Sequence, residues 1–148
     1  MTIETTTHLN FAGGRAREAL DFYAAAFDGT ATATTYGELG MAADAPDAGR
    51  VVFGRVESPA GLRLMAYDVP GAAGATAGGS TRRENGTTIT DQSFFVSVRG
   101  SSLDEVRGYW DRLAVGATVV EPLAASAWSP GFGMLTDRFG VTWVLDVA

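Results

Sequence analysis

The chain is written twice. Displaced by 87 residues, Phe11 falls on Val98, Gly13 on Gly100, Glu18 on Glu105, Phe22-Tyr23 on Tyr109-Trp110 and Gly29 on Gly116. Later in each half the displacement is 79, with Val56 on Leu135, Gly61 on Gly140, Leu62 on Val141 and Leu64 on Trp143. A repeat constrains the fold more than any local signal, because whatever one copy forms the other must form too. Each copy reads as a strand, a glycine, an amphipathic helix with an aromatic pair, a second glycine and further strands. The pattern is β-α-β-β-β, twice.

The first helix is expected from about Arg15 to Phe27, with Ala16, Leu20, Tyr23 and Phe27 along one face. The second begins at Ser102, an N-cap residue with Glu105 three places on, and places Leu103, Val106, Trp110 and Leu113 on one stripe. Both are single-faced helices made to lie on a sheet. The aromatic pairs Phe22-Tyr23 and Tyr109-Trp110 are read as core. After the helices come Thr30 to Tyr36 and Ala117 to Val120, rich in the β-branched residues that suit a strand.

Alternation along the remaining strands sorts residues onto two faces. One parity holds Leu9, Phe11, Leu62, Leu64, Ala66, Phe94, Val96, Val98, Val141, Trp143, Leu145 and Val147, wholly apolar and suited to lie under the helices. The other holds His8, Asn10, Arg63, Met65, Tyr67, Ser93, Phe95, Ser97, Thr142, Val144 and Asp146, to which neighbouring strands add Phe53, Arg55 and Met134. A mixed face is either the wall of a ligand site or a plain solvated surface.

Composition removes several chemistries. Without cysteine there is no thiol nucleophile, disulfide or thiolate metal site. All eleven basic residues are arginine, so Schiff-base chemistry and a P-loop lysine are excluded. The single histidine, His8, must carry any imidazole chemistry, whether as ligand contact, structural group or base. A net charge of −6 disfavours nucleic acid and favours a cationic ligand. The N-terminal Met1-Thr2-Ile3-Glu4 lacks the pattern of a secretory signal, so the expectation is a cytoplasmic chain, with no apolar run that would enter a membrane.

The chain is expected to form one domain of 148 residues: module one at 1–70, a loop at 71–90 and module two at 91–148. Gly71 to Gly86, dominated by Gly, Ala, Ser and Thr around Arg82-Arg83, is read as a mobile linker or as a loop whose arginines meet an anion on a bound molecule. Asn85-Gly86-Thr87 is read as a turn rather than a glycosylation site. Trp128, in the stretch Ala124 to Gly131, is read either as a stacking platform at a site's mouth or as buried against a sheet edge.

The paired halves, together with Leu9-Asn10-Phe11 leading to Glu18-Ala19-Leu20-Asp21-Phe22-Tyr23, Leu64-Met65-Ala66-Tyr67-Asp68 and the run from Phe132 to Trp143, resemble the vicinal-oxygen-chelate superfamily, in its PhnB-like branch. This group includes glyoxalases, bleomycin-resistance proteins and dioxygenases. The resemblance implies an α+β fold in which two βαβββ modules form a curled mixed sheet around a cleft, helices on the outer face. It also implies frequent pairing into homodimers.

Metal-dependent relatives carry their ligands on the first and last strand of each module. His8, fourteen residues before Phe22, matches the first of those positions. By the repeat the others fall on Met65, on Phe95 (or Ser93 in a shifted register) and on Val144, none of which suits a divalent cation. Asp68, Asp91 and Asp146 lie close in sequence but at strand ends. The expectation is a metal-free site, without a cofactor, that binds a small aromatic or cationic molecule through His8, Asn10, Phe53, Arg55, Arg63, Met65, Tyr67, Phe95, Trp128, Met134 and Val144. The alternative is a metal-dependent lyase, isomerase or dioxygenase-type enzyme acting through His8.

Overall fold

A computed structural model describes residues 1–71 and 79–148. They form two units, Met1–Thr76 and Ala77–Ala148. In the first, β1 (Thr7–Phe11) leads into α1 (Ala16–Ala26), then β2 (Thr30–Thr35), β3 (Val51–Glu57) and β4 (Arg63–Asp68). The sheet order is β1-β4-β3-β2, with β1 parallel to β4 and the other neighbours antiparallel. The second unit repeats this as β7 (Val96–Gly100), α2 (Leu103–Leu113), β8 (Thr118–Ala124), β9 (Phe132–Thr136) and β10 (Thr142–Val147), in the order β7-β10-β9-β8. The fold is α+β, built from two βαβββ modules.

Each helix packs on one face of its own sheet, and the periodicity says which. Ala16, Ala19, Leu20, Tyr23 and Ala26 of α1 are buried, as are Val106, Trp110 and Leu113 of α2. Opposite them lie Leu9, Phe11, Leu64 and Ala66 in one unit and Val96, Trp143, Leu145 and Val147 in the other. Each large side chain so removed from water is worth about 1.5–3 kcal/mol. The repeat extends to a detail of this packing. Gly54 and Gly133 occupy matching places in β3 and β9, and a Cβ on either would strike the helix above it, at Leu20 Cδ1 and at the Trp110 ring respectively.

The helix starts are satisfied in two ways. Ser102 Oγ accepts the Glu105 N–H at 3.2 Å, as the capping pattern requires. The Glu105 carboxylate, however, accepts from Ser101 Oγ (3.0 Å) and from the Tyr109 hydroxyl (2.9 Å), which hold its pKa below the ordinary value, the tyrosine contributing most. In α1 the preceding residue, Arg15, makes no side-chain cap, and the acceptor comes from across the unit. Buried Asp68, at the end of β4, takes the Ala16 N–H at 2.9 Å and the Val51 N–H at 2.8 Å. A carboxylate there answers both the unmade helical hydrogen bonds and the positive end of the helix dipole.

Two expectations are corrected. The stretch read as a loop contains an antiparallel hairpin, β5 (Thr81–Glu84) and β6 (Thr87–Thr90), which lies with the second unit. Its turn is Asn85-Gly86, both at positive φ, the conformation a two-residue hairpin turn requires. The part of the expected loop at 72–78 lies outside the described residues. Phe94, placed under a helix by alternation, is 53% exposed, because β7 begins only at Val96 and the alternation does not extend back to it.

Candidate functional site

In the first unit the helix-free face of the sheet is organised by strand register. His8 is the β1 partner of Met65, Met65 is the β4 partner of Arg55, and Arg55 is the β3 partner of Thr32, so the four form one row. Asn10 is the partner of Tyr67, and Phe53 of Thr34. His8 Nδ1 lies 3.0 Å from Asn10 Oδ1, and its ring meets Tyr67 edge-on with centroids 5.5 Å apart. An amide oxygen only accepts, so this bond requires the proton on Nδ1. Neutral His8 then offers Nε2 as an acceptor.

The arginines of this face are met by carboxylates. Arg55 lies 3.3 Å from Glu57 and stacks over Phe53 at 5.7 Å, while Arg63 lies 3.0 Å from Glu4. Tyr36 donates its hydroxyl to the Asp68 carbonyl at 2.7 Å. Burial first, then the nearby Tyr67 and Asp68, raise its pKa, so it remains a protonated donor. The structure thus brings together His8, Asn10, Met65, Tyr67, Arg55 and Phe53 as one face, with Arg63 beside Glu57 at its margin.

The second unit departs further from expectation. Val144 of β10 faces Ser97 of β7, so Ser97, and not Phe95 or Ser93, matches His8. Phe95 precedes the strand and is half-buried. Met134, expected on an open face, is only 2% exposed, because the β5–β6 hairpin sits over it: Thr88 Oγ1 lies 3.7 Å from Met134 Sδ. The hairpin base is held by Gln92, whose Oε1 accepts from Thr142 Oγ1 at 2.6 Å and from Thr81 Oγ1, and whose Nε2 donates to the Gly140 carbonyl at 3.3 Å. Arg83 lies over the Phe132 ring at 5.4 Å and 3.6 Å from Glu121. Trp128 is 63% exposed and meets Phe132 edge-on at 5.3 Å, so the burial alternative is set aside.

Can these residues hold the divalent ion of metal-dependent relatives? The first unit's register pair is imidazole and thioether, His8 and Met65; the second's is hydroxyl and alkyl, Ser97 and Val144. Borderline cations want several imidazole or carboxylate donors, and among the described residues no group of three or more His, Cys, Asp or Glu is gathered to hold one. The strand-end aspartates are engaged elsewhere: Asp68 caps α1, Asp91 accepts the Ser80 N–H, and Asp146 binds Arg99 through Nε at 3.2 Å and Nη2 at 2.8 Å. The donor set does not fit the ion.

Comparison with known proteins agrees with this architecture. The family model described as Glyoxalase/Bleomycin resistance protein/Dioxygenase superfamily matches residues 5–145. Among solved structures, protein PA1353 from Pseudomonas aeruginosa is similar, with a TM-score of 0.72 and 26% identity over 97% of this chain and 98% of that one. The PhnB protein from Bacillus cereus gives 0.67 and 24%, covering 99% and 100%. Protein YjdN of Escherichia coli strain K12 is 30% identical over 54 residues, so the match spans only 37% of that relative's length and 36% of this chain. No helix among the described residues is long and apolar enough to cross a membrane.

Proposed function

Because the chain belongs to the glyoxalase/bleomycin resistance protein/dioxygenase superfamily, we propose that it is of the PhnB-like branch and binds a small aromatic or cationic molecule without a metal. The observation that carries this reading is the register pair of His8 and Met65. The position that would begin a metal site holds an imidazole already tied to Asn10, beside a thioether. Such a face supports recognition: Nε2 accepts a ligand N–H or O–H, while Met65, Tyr67 and Phe53 supply polarisable and aromatic area. Arg55 and Arg63 are offset by Glu57 and Glu4, and the net charge of −6 leaves a field that draws cations.

On this reading Asn10 sets the His8 tautomer. A cytoplasmic homodimer is part of the same proposal.

A thermal-shift screen with cationic and neutral aromatic compounds, run with and without chelator, tests it. A ligand at a hundred times its dissociation constant adds about 2.7 kcal/mol, which is readily seen. The expected result is a shift that survives chelator and shrinks in His8→Ala. A shift that appears only with a divalent ion, or turnover restored by one, would favour the metal-dependent alternative and overturn this reading.

A further inference from the structure

The hairpin brings a cation onto the second sheet that neither repeat unit's strand pattern supplies. Arg83 of β5 has its side chain only 15% exposed, lies over Phe132 and donates through Nη1 to Thr88 Oγ1 at 2.9 Å. Its Nε is buried and has no hydrogen-bond partner among the described residues. The nearest anion is Glu121 Oε2, at 3.6 Å from Nε, a distance that gives attraction but no hydrogen bond.

A guanidinium presents five donors in a planar fork that matches a carboxylate two at a time, and leaving a buried donor unmet is costly. Glu121 therefore marks where a carboxylate belongs while failing to complete the fork. It is also the looser partner, its side chain 41% exposed. It can turn into solvent while Arg83, held by Thr88 and Phe132, stays in place. Beside the fork are the Phe132 ring and, edge-on to it, exposed Trp128. We infer that Arg83, Phe132 and Trp128 form a site for a planar aromatic carboxylate, which displaces Glu121 and takes the guanidinium fork while its ring lies against the two aromatics. All three residues lie within the second unit, so the site stands or falls apart from the His8 face of the first.

The test is a fluorescence titration of the full chain with benzoate and, as its uncharged counterpart, benzamide. Trp110 and Trp143 are buried, which leaves Trp128 as the reporter that ligand can reach. Benzoate should quench saturably and bind at least about tenfold more tightly than benzamide, the worth of a charge-assisted bond. Glu121→Gln should tighten benzoate by removing the resident competitor. Arg83→Lys, which keeps the charge and loses the fork, should weaken it about tenfold or more.

Equal binding of the two probes, unchanged affinity in Arg83→Lys, unchanged or weaker affinity in Glu121→Gln, or no saturable quenching in either wild type or Glu121→Gln would each overturn the assignment. Should Arg83→Lys fail to fold, judged by its circular dichroism, the probe comparison and Glu121→Gln still decide. Loss of benzoate binding in His8→Ala would point to the first unit's face instead.

Discussion

Replacing Asp137 by alanine removes one side chain that three donors share. Asp137 is buried after β9 and accepts the Phe139 N–H at 2.8 Å, the Val141 N–H at 3.1 Å and, on its other oxygen, the Trp143 indole N–H at 2.9 Å. The two amides lie in a turn whose flanking residues, Arg138 and Gly140, are exposed, so water can replace much of what they lose. The indole cannot be compensated this way, because Trp143 is fully buried. Losing one buried bond to a charged acceptor costs roughly 1.5–3 kcal/mol, and with a smaller amount for the turn the total is about 3 kcal/mol. At about 2–4 °C per kcal/mol for a chain of this size, the melting temperature should fall by roughly 6–12 °C. Urea denaturation followed by circular dichroism checks the value, with the midpoint moving and the slope unchanged. A double-mutant cycle with Trp143→Phe should return a coupling of about 1–2 kcal/mol. A loss below about 1 kcal/mol, or no coupling, would refute the claim that this carboxylate holds the β9–β10 turn to the core.

The remaining predictions concern the other anchors. Asp68→Ala strips the acceptor from both Ala16 N–H and Val51 N–H and should cost about 2–4 kcal/mol in the same assay, with Asp68→Asn in between. Gly54→Ala should destabilise by about 1–3 kcal/mol, since its Cβ would meet Leu20 Cδ1 and approach the Ala66 carbonyl oxygen to 2.9 Å, and a backbone oxygen cannot step aside. The lowered Glu105 pKa gives a pH test. A carboxyl titrating lower when folded stabilises above its unfolded pKa and loses that stability as pH falls through its folded one, so Tyr109→Phe should lower stability at neutral pH, leave it little changed at acid pH, and so flatten the acid limb.

Much of the fold was legible because helices and alternating strands advertise their period. Ser102 was recognisable as a cap, and the 79-residue displacement correctly equates the pairs Val56 with Leu64 and Leu135 with Trp143, both register partners in their sheets. The slip at β7 has a simple origin. The connection from first strand to helix spans residues 12–15 in one unit but only 101–102 in the other. Matching the copies on their helices therefore slides the strand by two places, which keeps every side chain on its face but substitutes Phe95 for Ser97. Half of the candidate site, His8 with Met65 and Asn10 with Tyr67, followed from that periodicity.

The other half did not, because a hairpin intervenes. Its composition of small and polar residues resembled a linker, although Asn85-Gly86 between Thr-Arg-Arg-Glu and Thr-Thr-Ile-Thr carries the turn signal of paired strands. What no local pattern could supply was where that hairpin docks. Met134 changes from open wall to buried anchor, and Arg83 from loop residue to a cation stacked on Phe132, through tertiary packing alone.

Recognition without a metal can be checked by metal uptake. The chain, stripped by chelator and dialysed against micromolar zinc, nickel or manganese, would be analysed for bound ion after desalting. The expected result is well under one ion per chain, with His8→Ala indistinguishable from wild type. One ion per chain, retained through desalting and lost in His8→Ala, would contradict it.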